Sequence, residues 1–310
     1  MARSRDIRGP YETHPQKHLM TARFAPDSPL QRVGHGQYVE GPDGRVWHSF
    51  LCGRPVAGPH GPFCALGREA GVAECEWRED GWLYLKGGGM VPPLLAPGPD
   101  RLADAAVSHD FRWAELPGEF QWLRTPYPER IFALTGAGLR LIGRESLGSW
   151  FEQALVARRQ QHHAYEAACV VEAAPPNWQR AAGLTTYYSR HKFHAALITH
   201  EAGLGRCVRI VSCPGDVSEA LVLYPPVAVP DGPITLRVQV DRATQQFFRA
   251  AEGQAPQALG PVLDASVISD EGGVGEHGSF TGTFVGMIAH DLTGQGWSAD
   301  FTRFDYTPGI

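Results

Sequence analysis

Cysteine is scarce in this chain. Six residues of 310 are cysteine (Cys52, Cys64, Cys75, Cys169, Cys207 and Cys213), and no two form a Cys-x-x-Cys pair. A disulfide scaffold needs far denser cysteines and a zinc site needs closely spaced ones, so six buried, reduced thiols are expected. Basic charge is short as well: Lys plus Arg number 28 against 33 Asp plus Glu, a formal charge of -5. A protein that holds nucleic acid carries a concentrated basic stripe, and none is present. No apolar run approaches the ~18–20 residues of a membrane span, and residues 1–10 (MARSRDIRGP) lack the apolar centre of a secretory leader. The expectation is a protein without nucleic-acid or membrane partners, located in the cytoplasm. Helical periodicity, internal repeats and low-complexity tracts are missing too.

What the sequence does contain is turn chemistry and strand formers. Glycine (36), proline (25) and aromatic residues (10%) suit many short strands joined by tight turns. Residues 37–40 and 45–50 flank Gly41-Pro42-Asp43-Gly44, and residues 74–77 and 82–85 flank Arg78-Glu79-Asp80-Gly81. Both are hairpins by the Asp-Gly signature, and both fit propeller blades or a sandwich. Residues 87–106 (GGGMVPPLLAPGPDRLADAA) sustain neither helix nor ladder. They divide the chain into residues 1–90, a linker over 91–106, and residues 107–310. In the last part strands are predicted over 139–142, 154–157, 165–172, 181–188, 195–199, 207–212, 234–240 and 282–290. That pattern predicts an antiparallel β-sandwich of jelly-roll type, long enough to hold its own core.

Collinear blocks carry a resemblance. In the first part they are Gly9-Pro10-Tyr11-Glu12 with Pro15, Gln31-Arg32-Val33-Gly34-His35-Gly36, Gly53-Arg54-Pro55 and Leu66-Gly67-Arg68-Glu69. In the second they are Phe120-Gln121-Trp122-Leu123-Arg124, residues 143–147 (GRESL), residues 156–162 (VARRQQH), Ala182-Gly183-Leu184 with Tyr187-Tyr188, and residues 280–287 (FTGTFVGM). Nearly the whole chain resembles the C-terminal portion of family 43 glycoside hydrolases of the β-xylosidase type. The resemblance implies an all-β protein: the last blades of a five-bladed propeller, then a concanavalin A-like β-sandwich.

It also implies an activity and a division of labour. Such enzymes release xylose from the non-reducing ends of xylo-oligosaccharides by inverting hydrolysis, and an aspartate base and glutamate acid sit on the early blades. This chain begins past the matching point, so no catalytic residue is expected in it, and an N-terminal companion half is implied. Its own carboxylates over the first 100 residues (Asp6, Glu12, Asp27, Glu40, Asp43, Glu69, Glu74, Glu76, Glu79, Asp80 and Asp100) fall mostly in turns and charged hairpin ends. By the resemblance His35 lies near the propeller axis, Arg68 contacts sugar hydroxyls, and Phe284 lines the pocket from the sandwich. Arg54 is read as structural.

No cofactor is required by this chemistry. The resemblance raises one ion, a structural calcium at the sandwich strand ends with Asp110 and Asp300 as acidic ligands. His109 and Arg112 stand where acids are common, which points to an internal ion pair in its place. His162, His163, His191 and His194 lack ligand-like companions and are read as surface or packing residues. Xylo-oligosaccharide or arabinoside substrates and a homo-oligomer are expected. Two alternatives stay open: α-L-arabinofuranosidase specificity, and a non-catalytic carbohydrate-binding or structural sandwich.

Overall fold

The computed structural model describes residues 1–94, 106–215, 220–272 and 280–309, so positions 95–105 of the expected linker lie outside the described residues. The chain separates into two compact units: Met1–Pro55 with Gly67–Leu102, and Val56–Leu66 with Ala103–Ile310. In both, the regular structure is almost wholly antiparallel strand, as the turn-rich sequence predicts.

In the first unit a two-residue pair, β1 (Ala2–Arg3) and β2 (Glu12–Thr13), precedes a four-stranded meander. The meander runs β3 (Gln31–Glu40), β4 (Val46–Gly53), β5 (Glu69–Trp77) and β6 (Leu83–Leu85). Its turns use the predicted chemistry. Gly41 N–H donates to the Arg45 carbonyl at 2.8 Å, Gly44 has φ +75°, and the Asp43 carboxylate accepts the Arg45 N–H. At the second hairpin Gly81 has φ +69° and Asp80 accepts the Trp82 N–H. Alternate residues of a strand share a face. Val46, Phe50 and Cys52 of β4 therefore join Ala73, Cys75, Leu83 and Leu85 beneath Leu19 and Met20 of the preceding segment.

The second unit is a sandwich of two eight-stranded sheets. One runs β20 (Gln257–Asp264), β19 (Thr244–Ala251), β18 (Ile234–Asp241), β12 (Ala164–Glu172), β22 (Ser298–Pro308), β10 (Leu139–Ile142) and β9 (Phe132–Leu134), with β7 (Val107–His109) on β22. The other runs β16 (Val222–Leu223), β15 (Gly205–Pro214), β14 (Lys192–Glu201), β13 (Arg180–Ser189), β21 (Phe284–Asp291), β11 (Ala154–Arg159) and β8 (Phe120–Trp122), with β17 (Val227–Ala228) on β15. The core lies between them. Ile234, Leu236, Val238 and Val240 of β18 face Leu184, Ile198, Ile210 and Met287 of the other sheet. That other sheet also buries its outer face, through Leu155, Ala181, Phe193, Leu197 and Ile288. Burial on both faces is why β13 and β14 read as near-continuous apolar runs.

Eight strands of the second unit were not singled out from sequence: the short β7, β8, β9, β16 and β17, and the longer β19, β20 and β22. In β22 every second residue is buried (Ala299, Phe301, then Phe304 and Tyr306 after a shift of register), but its Asp, Thr and Arg residues mask the alternation. Strand β21 begins at Phe284 rather than Gly282, whose φ of +78° does not suit a strand.

Residues Val56–Leu66 depart from the sequence-based division. They fall within 1–90 yet group with the sandwich. Val56 and Phe63 exchange two backbone hydrogen bonds of 2.9 Å, closing a small loop whose end is buried at Phe63, Cys64, Ala65 and Leu66. Cys64 N–H donates to the Glu271 carboxylate at 2.7 Å, Asp270 N–H to the Cys64 carbonyl, and Thr283 N–H to the Ala65 carbonyl. The segment is a strap on the sandwich, fixed by backbone bonds that no side-chain pattern announces.

Candidate functional site

His35 sits where β3 departs twice from regular pairing with β4. Its register slips between Gln31 and Gly34 and again between Gly34 and Gln37. In the second slip His35 and Gly36 together oppose Phe50, a bulge that re-aims a side chain. The backbone of His35 lies in the left-handed region at φ +39°, which is unfavourable for any residue with a Cβ. Gly36 has no freedom to be larger, because a Cβ there would stand 1.9 Å from the Ser49 carbonyl oxygen. The Gly-His-Gly sequence thus holds an imidazole on a strained bulge.

That imidazole lines a cavity of about 450 Å³ within the first unit, together with His18, Met20, His48, Tyr38 and Phe50. Burial pushes the His48 imidazole below its ordinary range, so it is neutral at pH 7. His18 and His48 were not singled out from sequence. Neither is flanked by glycine, and only the fold brings them to His35.

Arg68 follows Gly67 (φ +70°) and immediately precedes β5. Its neighbour Glu69 takes a bidentate ion pair from Arg54, 2.8 Å at Nε and 2.7 Å at Nη2. Glu69 is therefore committed to Arg54, which has the structural role read from sequence. Phe284 belongs to the second unit, opposite Arg159 on β11 and Tyr187 on β13. It is half-buried against the outer-face cluster, and the Arg159 guanidinium lies 5.3 Å from its ring centroid. His35 and Arg68 thus share one unit, and Phe284 stands in the other.

Most carboxylates of the first unit are engaged locally. Glu12 pairs with Arg3, Asp6 with Arg8, Glu76 with Arg78, and Glu40 accepts the Trp77 indole N–H. Hydrogen bonds from Arg45 and Lys86 hold the Glu74 carboxyl down at about 2, so it is no proton donor near neutral pH. Asp100 lies outside the described residues.

The two candidate calcium ligands do not fit that ion. Calcium takes six to eight oxygens. Both Asp300 oxygens instead accept from Arg140, at 2.7 Å each, and exposed Asp110 turns back on Arg112. Beside them His109 bonds Glu119 at 2.6 Å, and the buried Arg158 guanidinium lies 3.5 Å from the same carboxylate and 4.1 Å from the Tyr306 ring. Among the described residues no three His, Cys, Asp or Glu side chains gather as metal ligands. All six cysteines are buried and none is in a disulfide.

Comparison with known proteins covers both units. Residues 108–307 match the family described as beta xylosidase C-terminal concanavalin A-like domain, and residues 1–83 match glycosyl hydrolases family 43. The chain is 43% identical to "Xylosidase/arabinosidase 43B" of Humicola insolens, over 99% of this chain and 58% of the relative. It is 33% identical to "Beta-xylosidase" of Bacillus subtilis (strain 168), over 99% and 60%. The crystal structure of a xylan β-1,4-xylosidase from Bacillus halodurans C-125 superposes with a TM-score of 0.88 at 34% identity, covering 99% of this chain and 59% of that one. The chain therefore spans about three fifths of the length of the relatives it matches. It belongs to glycoside hydrolase family 43, and its larger part is a β-xylosidase C-terminal concanavalin A-like domain.

Proposed function

We propose that this chain is the C-terminal portion of a β-xylosidase that releases xylose from the non-reducing ends of xylo-oligosaccharides by inverting hydrolysis. One observation carries the proposal: similarity to proteins named xylosidases runs unbroken through both units. In inverting hydrolysis one carboxyl protonates the leaving oxygen and another activates water, the two standing roughly 6.5–9.5 Å apart. The locally committed carboxylates of the first unit suit neither role, so both are assigned to an N-terminal companion half.

The residues of this chain then bind and position the sugar. Arg68 offers a guanidinium, whose fixed fork of donors matches vicinal hydroxyls. His35 reaches its cavity from the strained bulge. Phe284 offers an aromatic face that packs on the apolar face of a sugar and excludes water. A second specificity has its own support, since the Humicola insolens relative is named for both xylosidase and arabinosidase. Arabinosides are accordingly proposed as a further substrate class.

The test is complementation. The chain alone is expected to be inactive on aryl β-xylosides and aryl α-L-arabinofuranosides. Mixing it with a matching N-terminal half is expected to restore turnover. Activity of the chain alone, abolished by changing one of its own carboxylates, would overturn the assignment, as would a stable but inactive complex of the two halves.

A further inference from the structure

The outer face of the sandwich sheet formed by β13, β14, β15 and β21 holds a cavity of about 390 Å³ to which the reading above gives no role. Its position follows from the strands. Ala181 of β13 is small and stands beside Thr199 of β14, in a depression that Phe193, Leu197, Leu147, Leu221 and Trp178 wall in. Trp178 keeps 63% of its surface exposed.

Polar groups of different kinds converge on this apolar bowl. Glu201 and Arg209, on neighbouring strands, form an ion pair of 2.9 Å at one side. Thr199 lies two residues before Glu201 on the same face, and His290 stands opposite Ala181 on β21. Burial lowers the His290 imidazole to about 4, so it is neutral at pH 7 and offers both a donor and an acceptor. His290 Nδ1 and Arg209 Nε are buried and have no hydrogen-bond partner among the described residues.

The geometry points to a sugar-binding site: we infer that this cavity takes a short, uncharged oligosaccharide of the pentopyranose type. The volume is near the lower end for ligand sites, enough for roughly one or two sugar rings. The carboxylate and guanidinium neutralise each other and the imidazole is uncharged, so nothing selects an ionic ligand. A purely apolar ligand would strip water from the Glu201–Arg209 pair and give it no hydrogen bond in return. A pyranose has what the walls lack: hydroxyls for Glu201, Arg209 and His290, and C–H faces for Trp178 and the leucines. The choice of xylose as the ring rests on the family reading above; the choice of a sugar does not.

Titration of the full 310-residue chain with xylotriose, followed by calorimetry and tryptophan fluorescence, tests the site without any catalysis. An inactive recombined enzyme would therefore leave this result untouched. Saturable binding is expected, weakened at least tenfold in both Trp178→Ala and Glu201→Gln, with an unchanged melting temperature for the former because its side chain is largely exposed. Absence of saturable xylotriose binding overturns the site, and so does binding that neither substitution changes. A tighter response to cellotriose than to xylotriose overturns the pentose assignment. Binding of the apolar dye 1-anilinonaphthalene-8-sulfonate that Trp178→Ala abolishes and xylotriose cannot displace overturns the sugar.

Discussion

The backbone N–H of Cys64 donates to the side chain of Glu271 at 2.7 Å, tying residues numbered within the first third of the chain to a loop of the sandwich. Together with the Asp270–Cys64 and Thr283–Ala65 bonds it makes Val56–Leu66 part of the sandwich fold. A polypeptide of residues 107–310 lacks that strap and with it the buried side chains of Phe63, Cys64, Ala65 and Leu66, Phe63 being 2% exposed. Burial of one phenylalanine contributes about 1.5–3 kcal/mol and each hydrogen bond about 0.5–1.5 kcal/mol net. The truncated sandwich is therefore expected to melt roughly 10 °C below the same unit in the whole chain, at about 2–4 °C per kcal/mol for a domain of this size. A synthetic peptide of residues 56–66 should recover part of the loss. Equal melting temperatures by scanning fluorimetry would show that the strap contributes nothing.

His35 offers a test of backbone strain separate from any test of its imidazole. At φ +39° a side chain costs about 1–2 kcal/mol relative to glycine. His35→Gly and His35→Ala both remove the imidazole, but only the glycine relieves the backbone. The glycine variant should be more stable than the alanine variant by about 1 kcal/mol in urea, while both lose activity in the complemented enzyme. Identical urea midpoints would mean that the bulge relaxes when the imidazole leaves.

The sequence made the hairpins legible because their turns depend on local chemistry: Asp43 and Asp80 cap, and Gly44 and Gly81 supply positive φ. It made β13, β14 and β18 legible because burial leaves long apolar or alternating stretches. It did not reveal β22, where solvent-facing Asp300, Thr302, Arg303 and Asp305 interrupt the apolar pattern. The strap was invisible for a different reason: Cys64 and Ala65 are held through their backbone groups, which every residue has. Of the candidate site, Gly34-His35-Gly36 announced a special backbone. The cavity polar groups His18, His48, Glu201, Arg209 and His290 did not stand out, since only strand register brings them to common faces.

Acid should weaken the sandwich through His194. This imidazole is buried between β14 and neighbouring elements, bonded to the Ser212 hydroxyl at 2.7 Å and the Asp264 carbonyl at 3.1 Å, and burial depresses it to about 4. An unfolded histidine titrates near 6.5. Between those values the unfolded state binds the proton and the folded state does not, so stability rises with pH across that window. Its contribution is complete above pH 6.5 and is lost as the pH falls through about 4. The melting temperature should drop by several degrees from pH 7 to pH 5, and His194→Gln should flatten that slope while lowering stability at pH 7. A slope unchanged by the substitution would assign the acid sensitivity to other groups, His290 first among them.

Arg54 and Arg68 separate structure from substrate binding in one short stretch of chain. Arg54 is spent on Glu69, and its side chain in that pair is 46% exposed, so solvent screening limits the pair to about 0.2–1 kcal/mol. Arg54→Ala should lower the urea midpoint slightly and leave the complemented enzyme within a few-fold of normal kcat/KM. Arg68 is proposed to hold sugar hydroxyls as charge develops on the ring, where each hydrogen bond from a charged donor contributes about 1.5–3 kcal/mol. Losing two such bonds predicts a fall in kcat/KM on the order of 10²–10⁴-fold for Arg68→Ala. Losing an interaction made only in the transition state lowers kcat, whereas losing one made equally with bound substrate raises KM. A guanidinium that tightens on the distorted sugar therefore predicts that most of the loss falls on kcat. Arg68→Lys should recover little, because a single ammonium cannot span two hydroxyls as the planar fork does. Should Arg54→Ala prove the more damaging change to turnover at unchanged stability, the roles of the two arginines would have to be exchanged.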